Sequence, residues 1–207
     1  MTRIPHRPIE ELADLAPLLG MFEQVMGFVP NSLLAMAHRP DLVQAFAGLA
    51  SAVLGGGTLP HELRQLVAFV ASNASGCRYC QAHTSHAAHR GGVSEEKIQA
   101  AFEYETSPLF SEPERAALRL AARAAVVPNL VEDADMAAVR THFGDPGAVD
   151  LVAVIALFGW LNRWNDTLAT TLEQEPAAWA GSKLGAKGWA AGKHGVTGAR
   201  SNDAPIG

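Results

Sequence analysis

Cysteine is nearly absent from this 207-residue chain: there are two, Cys77 and Cys80, separated only by Arg78 and Tyr79. A disulfide framework for a secreted domain spreads its cysteines to close long loops, so that kind of scaffold is excluded. A lone vicinal pair points instead to redox or metal chemistry. A surplus of positive charge is also missing. Sixteen Lys and Arg stand against 21 Asp and Glu, a formal net charge of -5 in short mixed runs, with neither a nucleic-acid footprint nor a polybasic membrane patch. Long apolar runs are missing too. Met1 to Pro8 leads into no signal-like stretch, and the most apolar segment, Leu151 to Leu161, falls far short of the ~20 residues that span a bilayer. Polar Asn162, Arg163, Asn165 and Asp166 follow it at once, so it reads as a buried helix. The expectation is a cytoplasmic protein with no nucleic-acid and no membrane partner.

Strict two-residue alternation is scarce, and β-branched residues do not cluster between turn signals, which argues against sheets. What is present is helical punctuation around a globular composition, 48% hydrophobic and 18% charged. Pro40-Asp41 opens an amphipathic run to Leu54, closed by Gly55-Gly56-Gly57. Pro60 stands at the first turn of a segment whose apolar positions 63, 66, 67 and 70 repeat helically. A helix starts at Gly76-Cys77 and stops at Gly91-Gly92, and Ser94 caps the next through Tyr104. Further helices are predicted over Glu112–Val127, Asp133–Phe143 and Gly147–Leu172. The fold class is therefore all-α, with one domain over residues 1–179. From Ala180 to Gly207 the chain is rich in Gly, Ala and Lys and reads as a tail, with Trp179 and Trp189 as isolated anchors.

A weak internal duplication is visible. Gln65-Leu66-Val67-Ala68 is echoed by Asp150-Leu151-Val152-Ala153, and the same register sets Cys77 and Cys80 opposite Asn162 and Asn165.

The chemistry is concentrated between Gly76 and His86. Cysteines at i and i+3 on a helix start lie close enough to form a strained, reducible disulfide. The helix N-terminus supplies unpaired N–H groups and positive potential that favour thiolate over thiol, and Arg78 adds charge nearby. A thiolate is the nucleophile in peroxide reduction and in thiol–disulfide exchange. At about 100° per residue, Thr84 falls on the stripe of the two cysteines and His83 about 60° to the other side of Cys80. His83 is thus the best local proton relay, while His86 and His89 swing away. A zinc site made of Cys77, Cys80, His83 and His86 is disfavoured, because side chains fanned over about half a helical turn do not converge on one ion. No metal and no cofactor are expected.

The segment Gly76-Cys77-Arg78-Tyr79-Cys80-Gln81-Ala82-His83, behind the helix Leu63-Arg64-Gln65-Leu66-Val67-Ala68, resembles the alkylhydroperoxidase D-like and carboxymuconolactone decarboxylase superfamily. Phe28-Val29-Pro30-Asn31 and Asn162-Arg163-Trp164-Asn165-Asp166 resemble its peroxidase-related members, and the likeness covers about residues 10 to 175. It implies an all-helical bundle that forms homo-oligomers. It implies that Cys80 reacts with a hydroperoxide, that Cys77 resolves the product as a disulfide, and that a dithiol or lipoyl-type protein restores the thiols. Two positions depart from the pattern. Where active relatives usually carry Glu twelve residues before the first cysteine and His four after the second, this chain has Gln65 and Thr84. Neither serves as a base at neutral pH, so His83 is expected to substitute and Glu62 lies one turn before Gln65. Two other readings stay open: a non-catalytic oligomeric redox sensor, and a decarboxylase-like enzyme without redox chemistry, against which the cysteine pair counts.

Overall fold

Prolines, glycines and capping side chains set the limits of the helices. The computed structural model describes residues 2–196, and among them the chain forms nine α-helices and no strand. Helices α1 (Ala16–Met26), α2 (Asn31–Met36) and α3 (Pro40–Ala50) make up the N-terminal part. Pro40 sits in the first turn of α3, where a missing N–H costs nothing, and the glycine run ends the π turn Ser51–Gly55 that follows. Helix α4 (His61–Ala74) starts behind Pro60, and α5 (Arg78–Arg90) follows after a three-residue turn. Ser94 Oγ accepts the Lys97 N–H at 3.2 Å to start α6 (Glu95–Ala100). A reciprocal Ser111–Glu114 capping box starts α7 (Glu112–Ala124). The long α8 (Asp133–Leu168) and the short α9 (Gln174–Leu184) complete the set.

Boundaries differ from the sequence reading at the ends of α7 and α8. Helix α7 ends at Ala124, before Val127-Pro128, because a residue preceding proline is pushed out of the helical region. The two helices expected at 133–143 and 147–172 are both present and follow one another in α8 across a kink, where Gly144 takes the non-helical φ 64° and ψ -178° just ahead of Pro146. The end of α8 comes at Leu168, not Leu172. Ala169 turns left-handed at φ 50°, and the Thr170 N–H closes back on the Asn165 carbonyl at 3.1 Å.

Helix α4 lies at the centre, packed against α5, α7 and α8. Leu63, Leu66, Val67, Ala68, Phe69 and Val70 are all buried, so the helix presents apolar atoms on nearly every side. The apolar part of α8 supplies Leu151, Val154, Ile155 and Phe158 to this core. By length and composition α8 could cross a membrane, but its inner face is spent on α4 and α7. A second cluster, Leu12, Leu15, Leu19, Leu33, Met36 and Val43, joins α1, α2 and α3.

The stretch from Ala180 packs on the bundle instead of leaving it. Ala180, Leu184 and Trp189 belong to the main core, and the Trp189 indole N–H donates to the Arg78 carbonyl at 3.2 Å. His194 is fully buried. The rest of the expected tail, residues 197–207, lies outside the described residues.

Candidate active site

The turn between α4 and α5 decides where the thiols sit. Gly76 takes φ 76°, a left-handed conformation that L side chains rarely adopt, and sends the chain back so that Cys77 becomes the N-cap of α5. Cys77 Sγ accepts the Cys80 N–H at 3.4 Å, so the sulfur occupies the place of a capping oxygen. Both cysteines are free thiols and both are buried. A hydrogen bond from the Cys80 thiol, joined by the N–H groups of Cys80 and Tyr79, holds the Cys77 thiol below its usual range despite burial. Burial, and then the neighbouring Cys77, push Cys80 well up, while Asn165 pulls the other way. Asn165 Nδ2 donates to Cys80 Sγ at 3.6 Å. The two directions favour ionisation at Cys77 over Cys80.

Cys80 lines a cavity of about 480 Å³, and Cys77 does not. The cavity is walled by side chains of both apolar clusters, among them Phe22, Leu33, Phe46 and Phe158. Gln65, His83, Thr84 and Asn165 reach the same space. The fold thus brings four of the five residues singled out in the sequence, Gln65, Cys80, His83 and Thr84, to one cavity, with Cys77 outside its lining.

Their partners sort them further. Thr84 Oγ1 donates to the Cys80 carbonyl at 2.7 Å, so its hydroxyl is committed to its own helix, not to sulfur. His83 Nε2 lies 2.6 Å from Glu173 Oε2, and among the described residues no hydrogen bond joins His83 to Cys80. The ring is clamped, stacked on Tyr79 at 4.2 Å and edge-on to Phe28 at 5.5 Å. Glu173 Oε1 also accepts the Tyr79 hydroxyl at 2.8 Å and the Asn31 N–H at 2.5 Å. Burial raises the Glu173 carboxyl, but His83 and the Asn31 N–H together outweigh it and hold it below the ordinary carboxylate range. His89 is turned away and stacks on Trp179 at 4.1 Å. His86, expected to turn away as well, reaches the cavity wall, where burial lowers its basicity.

Glu173 and Asn165 are the residues that the sequence pattern did not single out as chemistry. Glu173 lies beyond α8 in an extended segment without periodicity, although Pro176 marks a new helix start just after it. Asn165 was visible as the echo of Cys80, and the two counterparts meet in space. The motifs around Asn31 and Asn165 flank the thiols: Asn31 holds Glu173, and Asn165 holds Cys80.

Residues 40–123 match the family described as the carboxymuconolactone decarboxylase family. The uncharacterized protein YnjA of Escherichia coli (strain K12) is 35% identical over 106 residues, which cover 51% of this chain and 58% of YnjA. The match thus spans little more than half the length of that relative. The debrominase Bmp8, solved as a C82A variant in complex with 2,3,4-tribromopyrrole, is 34% identical with a TM-score of 0.81, over 86% of this chain and 95% of that one. An uncharacterized peroxidase-related protein with an alkylhydroperoxidase AhpD core, from Ralstonia eutropha JMP134, is 28% identical with a TM-score of 0.76, over 84% and 94%.

Proposed function

This chain belongs to the carboxymuconolactone decarboxylase family, in its alkylhydroperoxidase D-like branch, and on that premise we propose that it is a thiol peroxidase for apolar hydroperoxides. The observation that carries the reading is the asymmetry of the pair: Cys80 faces an apolar cavity and Cys77 stands behind it. Cys80 passes its proton to Cys77 and attacks the terminal oxygen of the bound hydroperoxide. The O–O bond breaks, the alkoxide takes the proton that Cys77 had received and leaves as the alcohol, so that Cys77 is again a thiolate, and Cys80 becomes a sulfenic acid. Cys77, as thiolate, then attacks the Cys80 sulfur, forming the disulfide and releasing water. Two thiols and one hydroperoxide thus give one disulfide, one alcohol and one water. Asn165 supports the Cys80 thiolate, and the His83–Glu173 pair supplies and accepts protons at the cavity wall.

A dithiol or lipoyl-type protein returns the disulfide to thiols by exchange, which suits a cytoplasmic setting. A homo-oligomer is supported by an exposed apolar face on α8, where Val149, Val152 and Trp160 share one side of the helix.

The test is consumption of cumene hydroperoxide with dihydrolipoamide as reductant. Cys80→Ser is expected to fall to the uncatalysed rate. Cys77→Ser is expected to consume one equivalent and stop, with a dimedone-reactive sulfenic acid on Cys80. Oxidation confined to Cys77 would reverse the assignment.

A second reading has its own support in the apolar, aromatic-rich cavity and the likeness to Bmp8. The same pair can remove halogen from a halogenated aromatic: Cys80 takes the bromine, the ring carbon takes a proton, and Cys77 displaces bromide as the disulfide forms. Bromide release from a brominated pyrrole, without turnover of cumene hydroperoxide, would select this reading.

A further inference from the structure

Among the described residues, one group of three metal-ligating side chains converges: Cys77, Asp166 and His194, whose donor atoms all lie within 4.8 Å of one another. They come from the start of α5, the last turn of α8 and the 3-10 turn Gly192–His194, so they approach one point from separate elements. This convergence is what a set of ligands on a single helix lacks.

His194 is the informative member. It is wholly buried, and its Nδ1 lies 2.8 Å from the Thr170 carbonyl. A carbonyl only accepts, so Nδ1 carries the hydrogen, and in the neutral ring Nε2 is left with a bare lone pair. Nε2 is buried and, among the described residues, has no hydrogen-bond partner, and Asp166 Oδ1 lies 3.5 Å from it. The other Asp166 oxygen is taken by Lys193 Nζ at 2.8 Å. A lone pair, a carboxylate oxygen and a sulfur thus face one another, and the single hydrogen of a Cys77 thiol cannot satisfy both oxygen and nitrogen.

We propose that Cys77, Asp166 and His194 bind a thiophilic divalent cation of the zinc type. The donor set of thiolate, imidazole and carboxylate suits such an ion, and the three atoms need to draw in by roughly 1 Å at most for tetrahedral bonds. The Thr170 carbonyl fixes the His194 tautomer, as outer partners of metal-bound histidines do. Asp166, with a side chain 45% exposed, gives the ion a way in from solvent. Binding forms the sulfur–metal bond and releases the Cys77 proton, with no change of oxidation state. Where the peroxidase reading holds, one consequence rests on it: a metal-bound Cys77 cannot resolve Cys80, so zinc arrests the cycle and oxidation to the disulfide expels zinc.

The test uses the reduced, metal-free full-length chain, titrated anaerobically with Co²⁺ and, in competition, with Zn²⁺. Expected are one ion per chain and a thiolate-to-cobalt absorption band. Both should be lost in Cys77→Ser and His194→Ala, weakened about tenfold or more in Asp166→Asn, and retained in Cys80→Ser. Asp166→Asn keeps the test open should His194→Ala fail to fold. The readout needs no turnover, so failure of the peroxidase reading leaves it unaffected. Absence of stoichiometric binding in the wild type would overturn the site. Loss of binding in Cys80→Ser would also overturn it, in favour of a chelate between the two thiols.

Discussion

At the scale of single residues, the site holds a carboxylate–imidazole pair, though not at the two positions where the usual family pattern has one. Gln65 and Thr84 occupy the expected places but bring no ionisable group, and Thr84 is tied to the Cys80 carbonyl. The carboxylate–imidazole pair is supplied instead by Glu173 and His83. His83→Ala is expected to slow Cys80 oxidation by about a hundredfold, the usual scale of general acid–base help, measured by stopped-flow loss of thiol. Asn165→Leu removes the side-chain amide that donates to Cys80 Sγ and should slow the same step about tenfold, the value of one charge-assisted hydrogen bond. Glu173 also makes a stability prediction. Its folded carboxyl sits below its ordinary value of 4.5, so its contribution is full above that pH and is lost as pH falls through the depressed value. Glu173→Gln should lower stability by about 1–3 kcal/mol near neutrality and flatten the acid side of a urea-midpoint profile. An unchanged acid limb would show that the pair does not report on folding.

Among the elements, the turn from α4 into α5 matters most, because it converts a helix start into a thiol site. Gly76→Ala would force a Cβ into a left-handed conformation, costing about 1–2 kcal/mol. Thermal unfolding should register that loss, and the Cys77–Cys80 disulfide should close more slowly. Much of this was legible beforehand. Pro40, Pro60, Ser94 and Gly76-Cys77 each mark a boundary by a local mechanism, a missing N–H, a capping oxygen or a left-handed turn, and the helices begin there. The end of α8 was not legible, since Leu168 to Leu172 continues the apolar pattern and nothing local announces that Ala169 turns left-handed. Glu173 and His194 escaped for a related reason. Both act through contacts with residues remote in the chain, from segments with no period to read.

For the whole molecule, two apolar clusters meet around a cavity into which one sulfur looks and behind which the other waits. The outer face of α8 carries Val149 at 67% and Val152 at 45% exposure, an apolar stripe that a second copy of the chain would cover. Light scattering should give a multimer for the wild type, and Val152→Glu should shift it toward monomer with its helical circular dichroism intact. A monomer at all concentrations would remove the oligomer from the proposal. The division of labour between the sulfurs is tested most directly by one single-turnover measurement. Fully reduced protein is mixed with one equivalent of cumene hydroperoxide, quenched with an alkylating agent and peptide-mapped. The expected result is an internal Cys77–Cys80 disulfide, one equivalent of the alcohol, and no product in Cys80→Ser. Hydroperoxide left intact beside two free thiols, or consumption that persists in Cys80→Ser, would contradict it.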